Sequence, residues 1–121
     1  MKKILIGTHN KGKFKEIAYL LSKKLQKISP LKLKIKSPKE TGKTFNSNSK
    51  LKVNFFSKYV RYPVISDDSG LCIRAFNNKP GIYSARLAKK HGSFLKAMKF
   101  ILKKMKKKKN RRATFVCSLS F

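Results

Sequence analysis

At 121 residues the chain is one domain or less, long enough for a modest core. A hydrophobic content of 40% with nine Phe excludes a disordered basic tail, and no apolar run approaches the roughly 18 residues of a membrane span. Against 32 Lys and Arg stand four acidic residues, a formal charge of +28; it implies either a nucleic-acid or polyanion partner or a lysine bias spread over every segment.

In chain order, Ile4-Leu5-Ile6-Gly7 reads as a buried strand, too short for the roughly 7–15 apolar residues of a signal-peptide core. Thr8-His9-Asn10 forms a turn, and Asn10 suits the N-cap of a helix from about Lys11 to Lys24. Phe14, Ile17, Ala18, Leu21 and Leu25 give that helix its apolar face. Leu31, Leu33 and Ile35 alternate with lysines, which predicts a half-buried strand ended by Pro38. After the loop Glu40–Thr44, Leu51, Phe55 and Tyr59 mark a second helix by their spacing of four. Pro63-Val64-Ile65 then forms a strand that runs into Asp67-Asp68-Ser69-Gly70, read as a tight turn, with a return strand over Leu71–Phe76. Asn77–Gly81 is a turn.

Ser93 opens a third helix with an apolar stripe of Phe94, Leu95, Met98, Ile101, Leu102 and Met105, the two methionines being read as core fillers. Ala113, Phe115, Cys117, Leu119 and Phe121 alternate with Thr114, Val116, Ser118 and Ser120, a strand whose Val116 argues for cover on both faces. A hydrophobic strand at the end of the sequence is an exposed edge unless something pairs with it, so the chain is expected to be the front part of a longer protein. Cys72 and Cys117 show neither metal-ligand spacing nor a disulfide framework, which fits a reducing cytoplasm.

Chemistry concentrates at two places. Asp67-Asp68 places two of the four carboxylates side by side. Two hard oxygen ligands suit Mg²⁺, which takes one or two carboxylates and fills its other positions with water and phosphate; the other reading is a turn in which one Asp caps the backbone and one is solvated. Thr8-His9-Asn10-Lys11-Gly12-Lys13, at a strand–turn–helix junction, offers backbone N–H groups and lysines to a phosphate. It lacks the P-loop pattern, and an ordinary capped helix would look similar.

Five segments in order carry more: Thr-His-Asn-Lys-Gly-Lys-(x)₂-Glu at 8–16, Glu-Thr-Gly-Lys-Thr-Phe-(x)₂-Asn at 40–48, Ser-Asp-Asp-Ser-Gly-Leu at 66–71, Lys-Pro-Gly-Ile-Tyr-Ser-Ala-Arg at 79–86 and Arg-Arg-Ala-Thr-Phe-Val-Cys at 111–117. Together they resemble the inosine/xanthosine triphosphate pyrophosphatase family, over essentially the whole chain. All four acidic residues, Glu16, Glu40, Asp67 and Asp68, fall inside these segments.

The resemblance implies an α/β fold, a mixed sheet flanked by helices in an elongated two-lobed form cut short at the C-terminus, with residues 1–121 a partial pyrophosphatase domain. It implies Mg²⁺-dependent hydrolysis of dITP, ITP or XTP to monophosphate and pyrophosphate by a cytoplasmic enzyme, homodimeric when complete. Thr8, His9, Asn10, Lys11, Gly12 and Lys13 would line the triphosphate and Ser69 would contact substrate. Asp68 would accept the proton of the attacking water, and Asp67, Asp68 and Glu40 would hold the metal. Lys39 stands where the family usually has a second acid before Thr-Gly, and Asn46 and Ser47 replace acids common after Phe45. The family's Gly-Phe-Gly-Tyr-Asp and Ser-His-Arg segments, which grip the purine, are not in these 121 residues. The alternative reading is therefore an inactive truncated remnant, or a basic fragment whose nucleic-acid binding is at most nonspecific.

Overall fold

The computed structural model describes residues 1–121, and the chain divides into two compact units, Met1–Asp68 with Ser118–Phe121, and Ser69–Cys117. The first holds β1 (Lys2–Ile6), α1 (Lys11–Leu20), β2 (Leu25–Ile28), α2 (Phe45–Ser57) and the start of β3 (Val64–Ile73). β1 lies between its neighbours and is parallel to both, Lys2–Leu5 pairing with Leu25–Ile28 and Leu5–Ile6 with Val64–Ile65. A central parallel strand is covered on both faces, which is why Ile4-Leu5-Ile6 is an unbroken apolar run and is fully buried. Leu5, Ile28, Ile35, Phe56 and Val64 form the core of this unit. Each such side chain contributes about 1.5–3 kcal/mol by leaving water.

The second unit contains the end of β3, the short β4 (Lys79–Pro80), α3 (Ser84–His91), α4 (Phe94–Met105) and most of β5 (Ala113–Ser120). β4 runs antiparallel to β3, Ile73 opposite Lys79, and β5 also pairs with β3. The sheet is thus mixed and flanked by helices, as expected. No helix is long and apolar enough to cross a membrane.

Several expected elements differ. The first helix stops at Leu20, not Lys24: Leu21 is already extended, the Ser22 hydroxyl takes the Lys24 N–H, and Leu25 belongs to β2. Pairing with β1 claims Leu25–Ile28 despite the polar Gln26-Lys27 in its middle. The alternating Leu31–Ile35 is a chain of turns instead of a strand. Ser29 accepts from Leu31 N–H, Lys34 sits at φ 57°, and Ile35 N–H returns to Pro30 C=O, so only Ile35 is buried. In α2 the buried residues are Asn48, Ser49, Lys52 and Phe56, while Tyr59 lies beyond the helix and is exposed.

Asp67-Asp68-Ser69-Gly70 is no turn; β3 passes straight through it to Ile73, and Arg74–Phe76 is a 3₁₀ turn instead of the end of a return strand. Gly70 permits this, because a Cβ there would overlap the Gly81 carbonyl and the Ser84 hydroxyl. The reversal comes later, at Asn77 and Asn78, whose φ of 53° and 62° suits asparagine. α3 was not foreseen. α4 begins after Ser93 as expected, the Ser93 hydroxyl accepting from Lys96 N–H; it buries Ala97 and Met105 but leaves Met98 exposed. β5 is present, yet Phe115 and Leu119 are exposed, so its two faces are not both covered.

Candidate active site

The end of β1 is fixed to β3 one residue before the paired carboxylates. Gly7 N–H donates to Ile65 C=O at 2.7 Å, and Ser66 Oγ donates to Gly7 C=O at 3.0 Å. A side chain at Gly7 would overlap Ser66 Oγ and the Phe56 ring, so only glycine allows this approach. The turn Thr8–Lys13 is thereby held beside Asp67-Asp68.

Within that turn Thr8 Oγ1 accepts from Asn10 N–H at 3.1 Å, and Asn10 Oδ1 accepts from Gly12 N–H at 2.9 Å and Lys13 N–H at 3.1 Å. Asn10 is the N-cap the sequence predicted. Its oxygen occupies the two N–H groups a phosphate would use, so the cradle's attraction comes from the ammonium groups of Lys11 and Lys13. His9 turns inward: its Nε2 donates to Ile35 C=O at 2.7 Å and its ring stacks on Phe56. It is a strut between the turn and the core.

Successive side chains of a strand lean to different sides, and the two acids of β3 take different direct partners. Asp67, 2% exposed, pairs with Lys13 of α1 at 3.1 Å. Asp68, 4% exposed, is hydrogen-bonded by Asn48 of α2. Asn48 Oδ1 accepts from Gly42 N–H at 2.8 Å, which leaves its NH₂ group to donate to Asp68. The Asp68 carboxyl is raised above the ordinary 3.8, first by burial and then by the charge of Glu40, with Lys52, the Asn48 hydrogen bond and Lys13 opposing. Glu40 itself is held by Lys52 at 2.9 Å.

Asp67, Asp68, Glu40 and Lys13 are thus brought into one neighbourhood, with Thr8 buried at its edge. Ser69 continues β3 beyond Asp68 and is half-buried. Lys52 escaped the sequence reading, and Asn48 entered it only as the last residue of the 40–48 segment with no role assigned, because a lysine and an asparagine in a helix look like solvent-facing residues. The available signal was their spacing, 48, 52 and 56, a second stripe that ends on the fully buried Phe56.

No group of three His, Cys, Asp or Glu side chains stands ready as a metal cage. The donor chemistry nevertheless fits a hard divalent cation. Asp68 Oδ2 is buried and has no hydrogen-bond partner, and a carboxylate raised by burial gains most from a cation beside it.

The Ham1 family model matches residues 4–121. The dITP/XTP pyrophosphatase of Zymomonas mobilis is 38% identical over 98% of the chain, and that of Haemophilus influenzae 41% identical over 99%. The chain spans 58% and 63% of the length of these two curated relatives. Among solved structures, the Ham1 protein of Staphylococcus aureus superposes with a TM-score of 0.81 at 36% identity, and that of Coxiella burnetii with 0.83 at 30%. Each match covers 98% of this chain and 62% of the other.

Proposed function

The chain belongs to the Ham1 family, and we propose that it serves the hydrolysis of noncanonical purine nucleoside triphosphates (dITP, ITP or XTP) to the monophosphate and pyrophosphate, in the cytoplasm and as part of a homodimer. The relatives named dITP/XTP pyrophosphatase support the reaction and substrate class. The observation that carries it is the buried Asp68, its carboxyl raised above its ordinary 3.8 by burial, in a neighbourhood that also holds Lys13 and Lys52.

Asp68 accepts a proton from water, and the water oxygen forms a bond to the α-phosphorus. The bond from that phosphorus to the bridging oxygen breaks, and pyrophosphate leaves with the electron pair. A carboxylate whose affinity for protons is raised is the better acceptor near neutral pH. Asn48 keeps Asp68 oriented, and Lys13 and Lys52 offset the growing charge on the phosphates. Thr8 and Lys11 complete the triphosphate contacts from the turn after β1, and Ser69 contacts substrate from β3. Asp68 would hold Mg²⁺ together with Asp67 or Glu40 as a second carboxylate, water and phosphate filling its other positions, and the ion would supply Lewis-acid polarisation of the phosphate oxygens.

The test is dITP binding and pyrophosphate release by the 121-residue chain and its Asp68→Asn and Lys13→Ala variants. Release should fall by about 10²–10⁴ in Asp68→Asn with binding retained, and Lys13→Ala should weaken binding. Equal release by Asp68→Asn, or neither binding nor release by the parent chain, overturns the proposal.

A further inference from the structure

The outer face of α2 carries a second basic site that the proposed reaction does not use. A groove of about 670 Å³ runs between the segment around Pro38-Lys39 and α2, lined by Pro38, Lys39, Lys50, Leu51, Phe55 and Lys58 among others, none of them acidic. Small-molecule sites span about 300–1,000 Å³; the groove matches them in volume and is open to solvent along its length. Leu51, Phe55 and Lys58 recur at four and three on one helix face. The buried face carries Asn48, Lys52 and Phe56 instead, so the groove and the Asp68 neighbourhood address different sides of the same helix.

Chemistry in the groove is divided. Its floor is apolar, with Pro38, Leu51 and Phe55 half-buried, and its walls are the exposed ammonium groups of Lys39, Lys50 and Lys58. Phe55 is kept in place by edge-on packing against Phe56 and a tilted contact with Tyr59, which makes its ring a fixed surface. Three cations around a fixed aromatic floor match a ligand with a phosphate at one end and a flat apolar body at the other.

We propose that this groove binds a free mononucleotide or an equivalent aromatic phosphate ester, the phosphate held by Lys39, Lys50 and Lys58 and the base laid over Phe55 and Leu51. None of these residues enters the proposed hydrolysis, so either reading can fail alone.

The experiment follows backbone amide shifts of the ¹⁵N-labelled chain during titration with AMP at about 0.15 M salt, where diffuse attraction between exposed charges is screened beyond roughly 8 Å. Inorganic phosphate, adenosine and a short oligonucleotide are titrated in parallel. AMP should shift residue 39 and residues 50–58, and Lys50→Gln/Lys58→Gln should weaken it about tenfold, whereas Lys89→Gln/Lys90→Gln, two exposed lysines of α3, should change it less than about twofold. Phe55→Leu should lose the advantage of AMP over phosphate, its fold checked by thermal melting. Shifts confined to Asp67-Asp68, equal weakening by the two lysine pairs, or phosphate binding as well as AMP overturn the site. An oligonucleotide that shifts the groove when AMP does not overturns the free-nucleotide assignment.

Discussion

Asn48 donates to the Asp68 carboxylate while its own carbonyl oxygen accepts the Gly42 N–H at 2.8 Å. One buried amide, 1% exposed, therefore ties the loop that carries Glu40 to the strand that carries Asp68. Both halves of the amide are satisfied only when loop, helix and strand are all in place. Burial gives the main upward push on Asp68, and the distance to Glu40, which sets the second, is fixed through this residue.

Asn48→Ala should therefore do two things together. Removing a donor to the charged form should raise the Asp68 carboxyl further, and leaving Gly42 N–H and the carboxylate unsatisfied should cost about 1–3 kcal/mol of stability. Carbon-detected NMR titration of Asp68 and urea unfolding read the two effects. An Asp68 titration identical in parent and variant would show that Asn48 only fills space.

The raised Asp68 carboxyl also fixes the sign of a pH effect. Its folded value lies above the ordinary 3.8 of the unfolded chain, so the folded state binds the proton more tightly. The contribution to stability is complete below 3.8 and is lost as pH rises through the folded value. At neutral pH in the absence of divalent cations, Asp68→Asn should be more stable than the parent, and the difference should shrink towards zero as pH falls below the unfolded value. Unfolding midpoints across pH 3–7 check this. A variant less stable than the parent at neutral pH would mean that Asp68 is held chiefly by its lysines.

Magnesium should reverse that order. If Asp68 Oδ2, buried without a hydrogen-bond partner, faces the cation, Mg²⁺ at a hundredfold over its Kd should stabilise the parent by about 2.7 kcal/mol and Asp68→Asn far less. Thermal melting with and without Mg²⁺, against a sodium control of equal ionic strength, decides it. Equal shifts in both proteins would remove Asp68 from the ligand set.

How much of this could be read from the sequence depended on where the signal was local. Asn10 as N-cap, Ser93 at the start of α4 and the apolar Ile4-Leu5-Ile6 were legible because capping and burial of a central strand act on adjacent residues. The Asp67-Asp68 pair was legible as chemistry but not as geometry. An Asp-Asp-Ser-Gly string favours a turn locally, and pairing of β3 with β1 and close contact at Gly70 overrule it. β2 was hidden because Gln26-Lys27 breaks its apolar pattern, whereas Leu31–Ile35 showed a strand pattern that Pro30 and Ser29 turn aside. Lys52 was invisible for a different reason: in a chain with 32 Lys and Arg, nothing local marks the one lysine whose partner is a glutamate twelve residues earlier.

That pair gives the last prediction. Lys52 Nζ lies 2.9 Å from Glu40 Oε1, with side-chain exposures of 8% and 28%. Taking a lysine out of water is unfavourable unless its charge is met, so the pair is worth more as a pair than either member alone. Lys52→Met should leave Glu40 and Asp68 facing each other with one fewer cation between them, destabilising the fold by up to about 3 kcal/mol, discounted because Glu40 is partly solvated. Glu40→Gln should strand the ammonium group but also relieve Asp68, whose carboxyl should move down towards the ordinary range. The double variant Glu40→Gln/Lys52→Met should then be more stable than the sum of the single effects predicts, with a coupling of about 0.5–3 kcal/mol. Urea unfolding of the four proteins at neutral pH measures it. Additive effects would mean that solvent screens the pair, and that Lys52 is buried for packing and not for charge.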